Sequence, residues 1–280
     1  MRNTSTEEAI EAAAELISDA DGLIITAGAG IGIDSGLPDF RDEHGFWRAY
    51  PALGKLGLGF TQIANPKAFK TNPELAWGFY GHRLDLYRNT RPHEGFRILM
   101  ALAEKMPNGS RVFTSNVDGQ FQKAGFKQEH VTECHGSIHH LQCFNQCGQE
   151  VWPAEKFAPL VDAENCRLLS PLPQCPSCGG LARPNIMMFG DWDFNGFRFQ
   201  QSESLLHAWF ARLTRPVVIE IGAGTAIPSV RHFGEELNCP LIRINLGESQ
   251  VGLHRDIGIA LGALETLTNL SDAMRNYKLL

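Results

Sequence analysis

Residues 22–41 read GLIITAGAGIGIDSGLPDFR: an apolar, β-branched run, Gly22-Leu23-Ile24-Ile25-Thr26, passes directly into a loop that opens Gly28-Ala29-Gly30. A short apolar run without polar alternation reads as a strand buried on both faces, which is the habit of parallel sheets. Upstream, Thr6 to Ala20 is Ala-rich and helix-favouring, with a cap at Thr4 or Ser5. Downstream, Arg111 to Thr114, His130 to Glu133, Pro216 to Ile221 and Pro240 to Ile244 repeat the strand signal, each ending in a polar or glycine-rich loop, with helical patterns between several of them. Strands alternating with helices predict an α/β fold: a Rossmann-like parallel sheet with helices on both faces, whose ligands bind beyond the carboxyl ends of the strands.

Two stretches break this rhythm. One, 42–91, is rich in aromatics and glycine and is read as a helical insertion; the other, 143–183, carries two close cysteine pairs and several prolines. The expected organisation is one domain over 1–280, with its large part formed by 1–41, 92–142 and 184–280. At 280 residues and 43% hydrophobic, the chain is long enough for that core. With 25 Lys plus Arg against 31 Asp plus Glu, a net charge of -6, no basic excess is present to bind nucleic acid non-specifically. The longest apolar stretches, such as Ile257 to Leu264, fall far short of the roughly 20 residues that span a bilayer, and the acidic start, MRNTSTEEAIEAAAELI, does not read as a secretory signal. No membrane or nucleic-acid partner is expected, and a cytoplasmic location is.

In the first loop, Gly28 and Gly30 are expected to let backbone amides approach a phosphate, with a following helix aiming its N-terminal donors at the anion. A dinucleotide is the natural ligand. The dehydrogenase fingerprint G-x-G-x-x-G would need glycine at Ile33, so a generic oxidoreductase is poorly supported.

GAG followed by SGLPDFR, 28–41, resembles the NAD-binding signature of the sirtuin family, with Gly32 where that family commonly has serine. The resemblance continues in order: Thr114-Ser115-Asn116-Val117-Asp118, Cys134-His135-Gly136, an altered Gly222-Ala223-Gly224-Thr225, and Asn245-Leu246-Gly247. It spans 23 to about 265. The resemblance implies NAD as co-substrate, held by Gly28, Ala29, Gly30, Ser35, Asp39, Phe40, Arg41, Ser115, Asn116, Asp118, His135, Gly222, Ala223, Gly224, Asn245, Leu246 and Gly247. It also implies a reaction in which an acyl oxygen displaces nicotinamide from a ribose. His135 is the expected base, since imidazole accepts a proton near neutral pH. Asn116 is expected to hold the ribose or a water, and Asp118 to receive the nicotinamide amide. His139 and His140 are read as structural or surface residues.

The seven cysteines include Cys143-x₃-Cys147 and, after 27 residues, Cys175-x₂-Cys178. Two such knuckles suit a tetrahedral Zn²⁺ with every position filled by protein, hence a structural ion, and a disulfide is the alternative. Sirtuins carry such a zinc, usually with two residues inside each pair, so the first knuckle departs from the pattern. Cys134, Cys166 and Cys239 are read as small buried apolar residues.

Arg183 to Asp191 resembles the segment leading into the family's substrate loop, where an acyl-lysine protein or peptide adds as a strand. Phe189 and Gly190 are placed there, and the neighbouring methionines either line an acyl-lysine tunnel or pack the core. Tyr80 and Arg83 resemble the Tyr-x-x-Arg pair of sirtuins that prefer succinyl, malonyl or glutaryl lysine. The other reading is a solvent-facing arginine beside a core tyrosine. The implied activity is NAD-dependent protein-lysine deacylation, giving nicotinamide, free lysine and O-acyl-ADP-ribose. Protein ADP-ribosyl transfer or NAD hydrolysis stays open, as does a non-catalytic NAD-sensing or docking module. His135 argues against the first, and the joint presence of Asn116 and His135 against the second.

Overall fold

The computed structural model describes residues 5–38, 43–275 and 277. In chain order its strands are β1 (Gly22–Ala27), β2 (Ser110–Thr114), β3 (Val131–Glu133), β4 (Gly136–Cys143), β5 (Trp152–Pro153), β6 (Val161–Asp162), β7 (Arg167–Leu168), β8 (Ala182–Ile186), β9 (Pro216–Ile221), β10 (Leu241–Ile244) and β11 (Ile257–Ile259). Six of these form one parallel sheet in the order β11-β10-β9-β1-β2-β3. The order runs one way from β1 and the other way from β9, so the topological switch lies between these two neighbours, where ligand crevices open. Register makes this sharp: Ala27 faces Thr114 on one side and Ile221 on the other, so the loops after β1, β2 and β9 leave the sheet at one level.

Side chains of β1 alternate between two cores. Leu23, Ile25 and Ala27 pack with Ala13, Ile17, Phe96, Leu99, Leu267 and Leu270, from helices Thr6–Ser18, Glu94–Lys105 and Ala263–Arg275. Ile24 faces the opposite side, with Leu206 and Trp209 of helix Phe197–Phe210 and Phe233 of helix Ser229–Glu236. The first helix is closed by Ser5, whose hydroxyl accepts from the Glu8 amide while the Glu8 carboxylate accepts from the Ser5 amide, a reciprocal capping box.

The two insertions share a third core. Phe46, Trp77, Phe79, Tyr80 and Leu84 from the helical segment pack with Leu141, Cys166, Leu168 and Ile186 from the cysteine-bearing one. Each buried side chain of this size contributes about 1.5–3 kcal/mol. Polar ties pin the helix Pro73–Asn89 to its neighbour: Trp77 Nε1 donates to the Ala182 carbonyl at 2.9 Å, and Arg88 donates to the carbonyls of Phe157 and Ala154 at 2.7 and 2.8 Å. The antiparallel sheet β5-β4-β8 of this lobe begins at Gly136 and runs to Ile186, wider at both ends than the 143–183 span read from the sequence. The cysteine pattern marks the knuckles and not the strands that carry them.

Candidate active site

The glycine loop differs from expectation in its helix. The helix after β1 is a 3₁₀ turn, Ala29–Ser35, ended by Gly36 in the left-handed region at φ 82°. The amides of the two glycines themselves bond within the fold: Gly28 N donates to the Ile221 carbonyl and Gly30 N to that of Gly222, both at 3.0 Å. The glycines serve close approach between the β1 and β9 loops. A Cβ at position 30 would stand 2.6 Å from the Gly222 Cα, and one at position 28 would stand 2.7 Å from the Gly222 carbonyl oxygen. Ser35 likewise acts on its own fold, its hydroxyl accepting from the His93 amide at 3.0 Å. Asp39, Phe40 and Arg41 lie outside the described residues.

The loop after β2 is bound to the same crevice. Ser115 N donates to the Ala27 carbonyl at 3.2 Å, and Asn116 Nδ2 donates to the Gly28 carbonyl at 3.0 Å. Asn116 Oδ1 has no partner among the described residues. Asp118 is buried, and its Oδ1 accepts from the Gln120 amide at 2.9 Å. Burial pushes its carboxyl up to about 6, against the opposing pull of the Gln120 amide and the Arg83 charge. His135 sits between β3 and β4, with Nε2 3.4 Å from the Ser229 hydroxyl. Burial lowers its imidazole below the usual histidine range, while a hydrogen bond to the Ser115 main chain opposes the shift. The ring is therefore neutral at physiological pH and able to accept a proton.

The loop after β9 is held from β10. Asn245 Nδ2 donates to the Ala223 carbonyl at 2.9 Å, and its Oδ1 accepts from the amides of Gly247 and Glu248 at 3.1 and 3.0 Å. Asn245 thus shapes two loops at once, whereas Leu246 projects outward, 66% exposed. Thr225, at the end of that altered loop, is bound to Glu248 through its amide (3.0 Å) and its hydroxyl (2.7 Å). Four loops, from β1, β2, β9 and β10, surround the carboxyl-end crevice, and this polar, backbone-lined opening fits a dinucleotide.

On the substrate side, Met187 N donates to the His135 carbonyl at 2.9 Å, and Phe189 N donates to that of Ala64, also at 2.9 Å. Gly190 takes the left-handed turn at φ 65°. The segment is braced by a bidentate pair in which Arg183 donates to Asp191 at 2.6 and 2.9 Å, both side chains being at most 1% exposed. Met188 is buried in the small-lobe core and Met187 is exposed, so core packing accounts for Met188 only. Tyr80 is fully buried against Phe69, and Arg83 is half-buried, not solvent-facing, with its guanidinium over the Phe60 and Phe79 rings. Phe60 in turn meets Phe189, ring centroids 5.8 Å apart.

The sulfurs of Cys143, Cys147, Cys175 and Cys178 lie within 4.8 Å of one another. Cys143 to Cys178 and Cys147 to Cys175 are each 3.6 Å apart. A tetrahedral zinc with bonds of about 2.3 Å sets its sulfurs about 3.8 Å apart, so the cluster fits the ion and not a pair of disulfides. The longer first knuckle closes because Gln146 and Gly148 take left-handed turns, at φ 50° and 87°. Cys134, Cys166 and Cys239 are buried apart from it.

His139, read as structural or surface, donates from Nε2 to the Asp118 carbonyl at 2.8 Å, and its ring fills the space beside Gly119, whose φ is 70°. That is a structural role, whereas Ser229 was not singled out from the sequence. A serine at a helix start was its only signal, and a histidine whose partner is a main-chain carbonyl has no signal at all.

Residues 28–208 match the model of the Sir2 family. An NAD-dependent protein deacylase of Aquifex aeolicus is 36% identical over 169 residues, 60% of this chain and 62% of that one. An NAD-dependent protein deacylase of Pyrococcus furiosus is 30% identical over 264 residues, 93% of this chain and 96% of that one. Among solved structures, a Sir2 homologue in complex with NAD superimposes with a TM-score of 0.72 at 24% identity, covering 96% of this chain and 95% of that one.

Proposed function

The chain belongs to the Sir2 family, and from that premise we propose that it is an NAD-dependent protein-lysine deacylase with His135 as its base. One observation carries the reading: the half-buried His135 imidazole stands at the carboxyl-end crevice with its Nε2 3.4 Å from the Ser229 hydroxyl, and Asn116 and Asp118 lie on the neighbouring loop. NAD, when bound, supplies the ribose carbon at which the acyl oxygen replaces nicotinamide. Asp118, ionised above about pH 6, would accept from the carboxamide of the departing nicotinamide and set negative charge beside its ring. Asn116, tied at Nδ2 to Gly28, offers Oδ1 to the ribose or a water without adding charge. His135 would take a proton from a ribose hydroxyl at Nε2, the edge of the ring that Ser229 meets at 3.4 Å. The acyl-lysine peptide adds as a strand between the Met187–Gly190 segment and the Gly222–Gly224 loop, where main-chain pairing gives affinity with little sequence demand.

The acyl group we assign ends in a carboxylate, as in succinyl, malonyl or glutaryl lysine. The support is Arg83, a guanidinium set among aromatic rings beside Phe60, which itself touches Phe189. The test is NAD-dependent release of free lysine from matched acetyl- and succinyl-lysine peptides, read by mass spectrometry in wild type and His135→Ala. Lysine formed together with nicotinamide, and lost in His135→Ala, is the expected result. Nicotinamide released with no deacylated peptide would replace deacylation by ADP-ribosyl transfer or NAD hydrolysis.

A further inference from the structure

We propose that Trp192 and Asp193 form a recognition surface for a lysine or arginine flanking the acyl-lysine of the substrate protein, so that basic sequences are deacylated in preference to neutral or acidic ones. The inference rests on the reading above that the peptide pairs along Met187–Gly190, and it adds a sequence preference to a mode of binding that otherwise makes little sequence demand. Trp192 is 97% exposed. The other tryptophans are accounted for by the fold: Trp47, Trp77 and Trp209 donate from Nε1 to the carbonyls of Leu58, Ala182 and Asn108, and Trp152 is half-buried in the antiparallel sheet. An indole left in water just beyond the proposed substrate segment packs nothing in this chain, so its surface is open to what that segment receives.

The turn that carries this indole is pinned at several points. Asp191 Oδ2 accepts from the Met188 amide at 3.3 Å and Oδ1 from the Asp193 amide at 3.1 Å, so one carboxylate bonds the chain on both sides of Trp192 while Arg183 holds that carboxylate from within. The Asp193 carbonyl accepts from Gln142 Nε2 at 2.8 Å, and Gln142 Oε1 accepts from the Asn195 amide at 3.1 Å. A ring on a fixed backbone loses little more than its own side-chain freedom when it binds. Charge then selects the partner. Between Gly190 and Gly196 the charged residues are Asp191 and Asp193. Asp191 is neutralised by Arg183, whereas Asp193 is exposed and has no ion pair among the described residues. The next cation in the chain, Arg198, is turned to Glu133 at 3.4 Å. An aromatic face beside a carboxylate attracts a cation through its quadrupole and through charge together, and repels an acidic side chain.

The experiment measures kcat and KM for release of free lysine at saturating NAD, from peptides that share one acyl group. Arg, Ala or Glu is placed in turn within about three residues of the acyl-lysine, a reach of about 10 Å in extended chain. The proteins compared are wild type, Trp192→Ala, Trp192→Phe and Asp193→Asn, and matching thermal midpoints check their folds. Wild type is expected to favour Arg over Ala about three- to tenfold in kcat/KM, through KM, and to disfavour Glu. Trp192→Ala should bring the Arg-to-Ala ratio to within about twofold of unity, Trp192→Phe should keep part of it, and Asp193→Asn should lower it most at low salt. A wild type indifferent to flanking charge, or a ratio that survives Trp192→Ala, overturns the inference and leaves deacylation standing. A dimer in sedimentation that Trp192→Ala dissociates also overturns it, since a second copy would then cover the indole. Nicotinamide released with no deacylated peptide removes the deacylase reading and the inference with it.

Discussion

The Met187 amide donates to the carbonyl of His135 at 2.9 Å, so the proposed base and the segment proposed to receive substrate are one main-chain hydrogen bond apart. This bond runs between the strand junction that ends the parallel sheet and the strand β8 that ends the small lobe. Whatever displaces the lobe reaches the base directly, and the predictions below follow from the ties that hold the two together.

The bidentate pair Arg183 and Asp191 braces that segment while wholly buried. Asp191→Ala would leave a buried guanidinium without its partner, a loss that typically costs about 3–5 kcal/mol. Thermal unfolding is expected to fall by several degrees, roughly 2–4 °C per kcal/mol for a chain of this size. A variant with an unchanged midpoint would mean that the pair is offset by rearrangement.

Zinc should be structural. Elemental analysis is expected to find one Zn²⁺ per chain, and a strong chelator to lower the thermal midpoint. Cys175→Ser should do the same, because it opens one corner of the four-sulfur cluster. Hydrogen exchange would then rise first in β4 and β8, the strands that carry the knuckles, and later in the sheet around β1. Uniform exchange across both sheets would contradict a lobe-centred role.

Asp118 joins stability to activity with opposite signs. Its carboxyl is raised to about 6 in the folded chain, above the ordinary carboxylate range. Between about pH 4 and 6 the unfolded chain ionises first, so folded stability falls as pH rises through that window. The loss is complete above it and amounts to roughly 3 kcal/mol. Asp118→Asn should therefore be more stable than wild type at pH 7 and equal to it near pH 3.5. The variant is nonetheless expected to lose NAD turnover, and wild-type kcat/KM for NAD should decline below about pH 6. Equal midpoints at pH 7 would show that burial does not strain this carboxylate.

Much of this architecture was legible in residue pattern. β1 and β9 are mostly apolar runs, interrupted only by the buried Thr26 and Glu220, and each sits where its run predicts. β11 was missed because three residues, Ile257–Ile259, give no periodicity; its place is fixed by pairing with β10. Gly28 and Gly30 also meet a constraint that the sequence did not show. Their need arises from the β9 loop, about 190 residues away in sequence and in van der Waals contact in space, and no local reading contains that neighbour. The same holds for Arg83, whose place over the Phe60 and Phe79 rings depends on Phe60, from a separate short helix, closing against its own.

His139 gives the last prediction, since its bond holds the Asp118 turn from β4. The Ile138 amide also binds this turn, donating to the Val117 carbonyl at 3.0 Å, so removing His139 loosens the turn without releasing it. His139→Ala is expected to raise KM for NAD about three- to tenfold and to change kcat less, because the displaced group binds the cofactor and does not transfer the proton. His139→Gln retains an N–H at similar reach and should recover most of the loss. Burial lowers the His139 imidazole, so it stays neutral near pH 7 and the hydrogen bond, not a charge, is what the glutamine must replace. If alanine and glutamine behave alike, His139 acts by filling the space beside Gly119; if only glutamine rescues, the donated hydrogen bond positions Asp118.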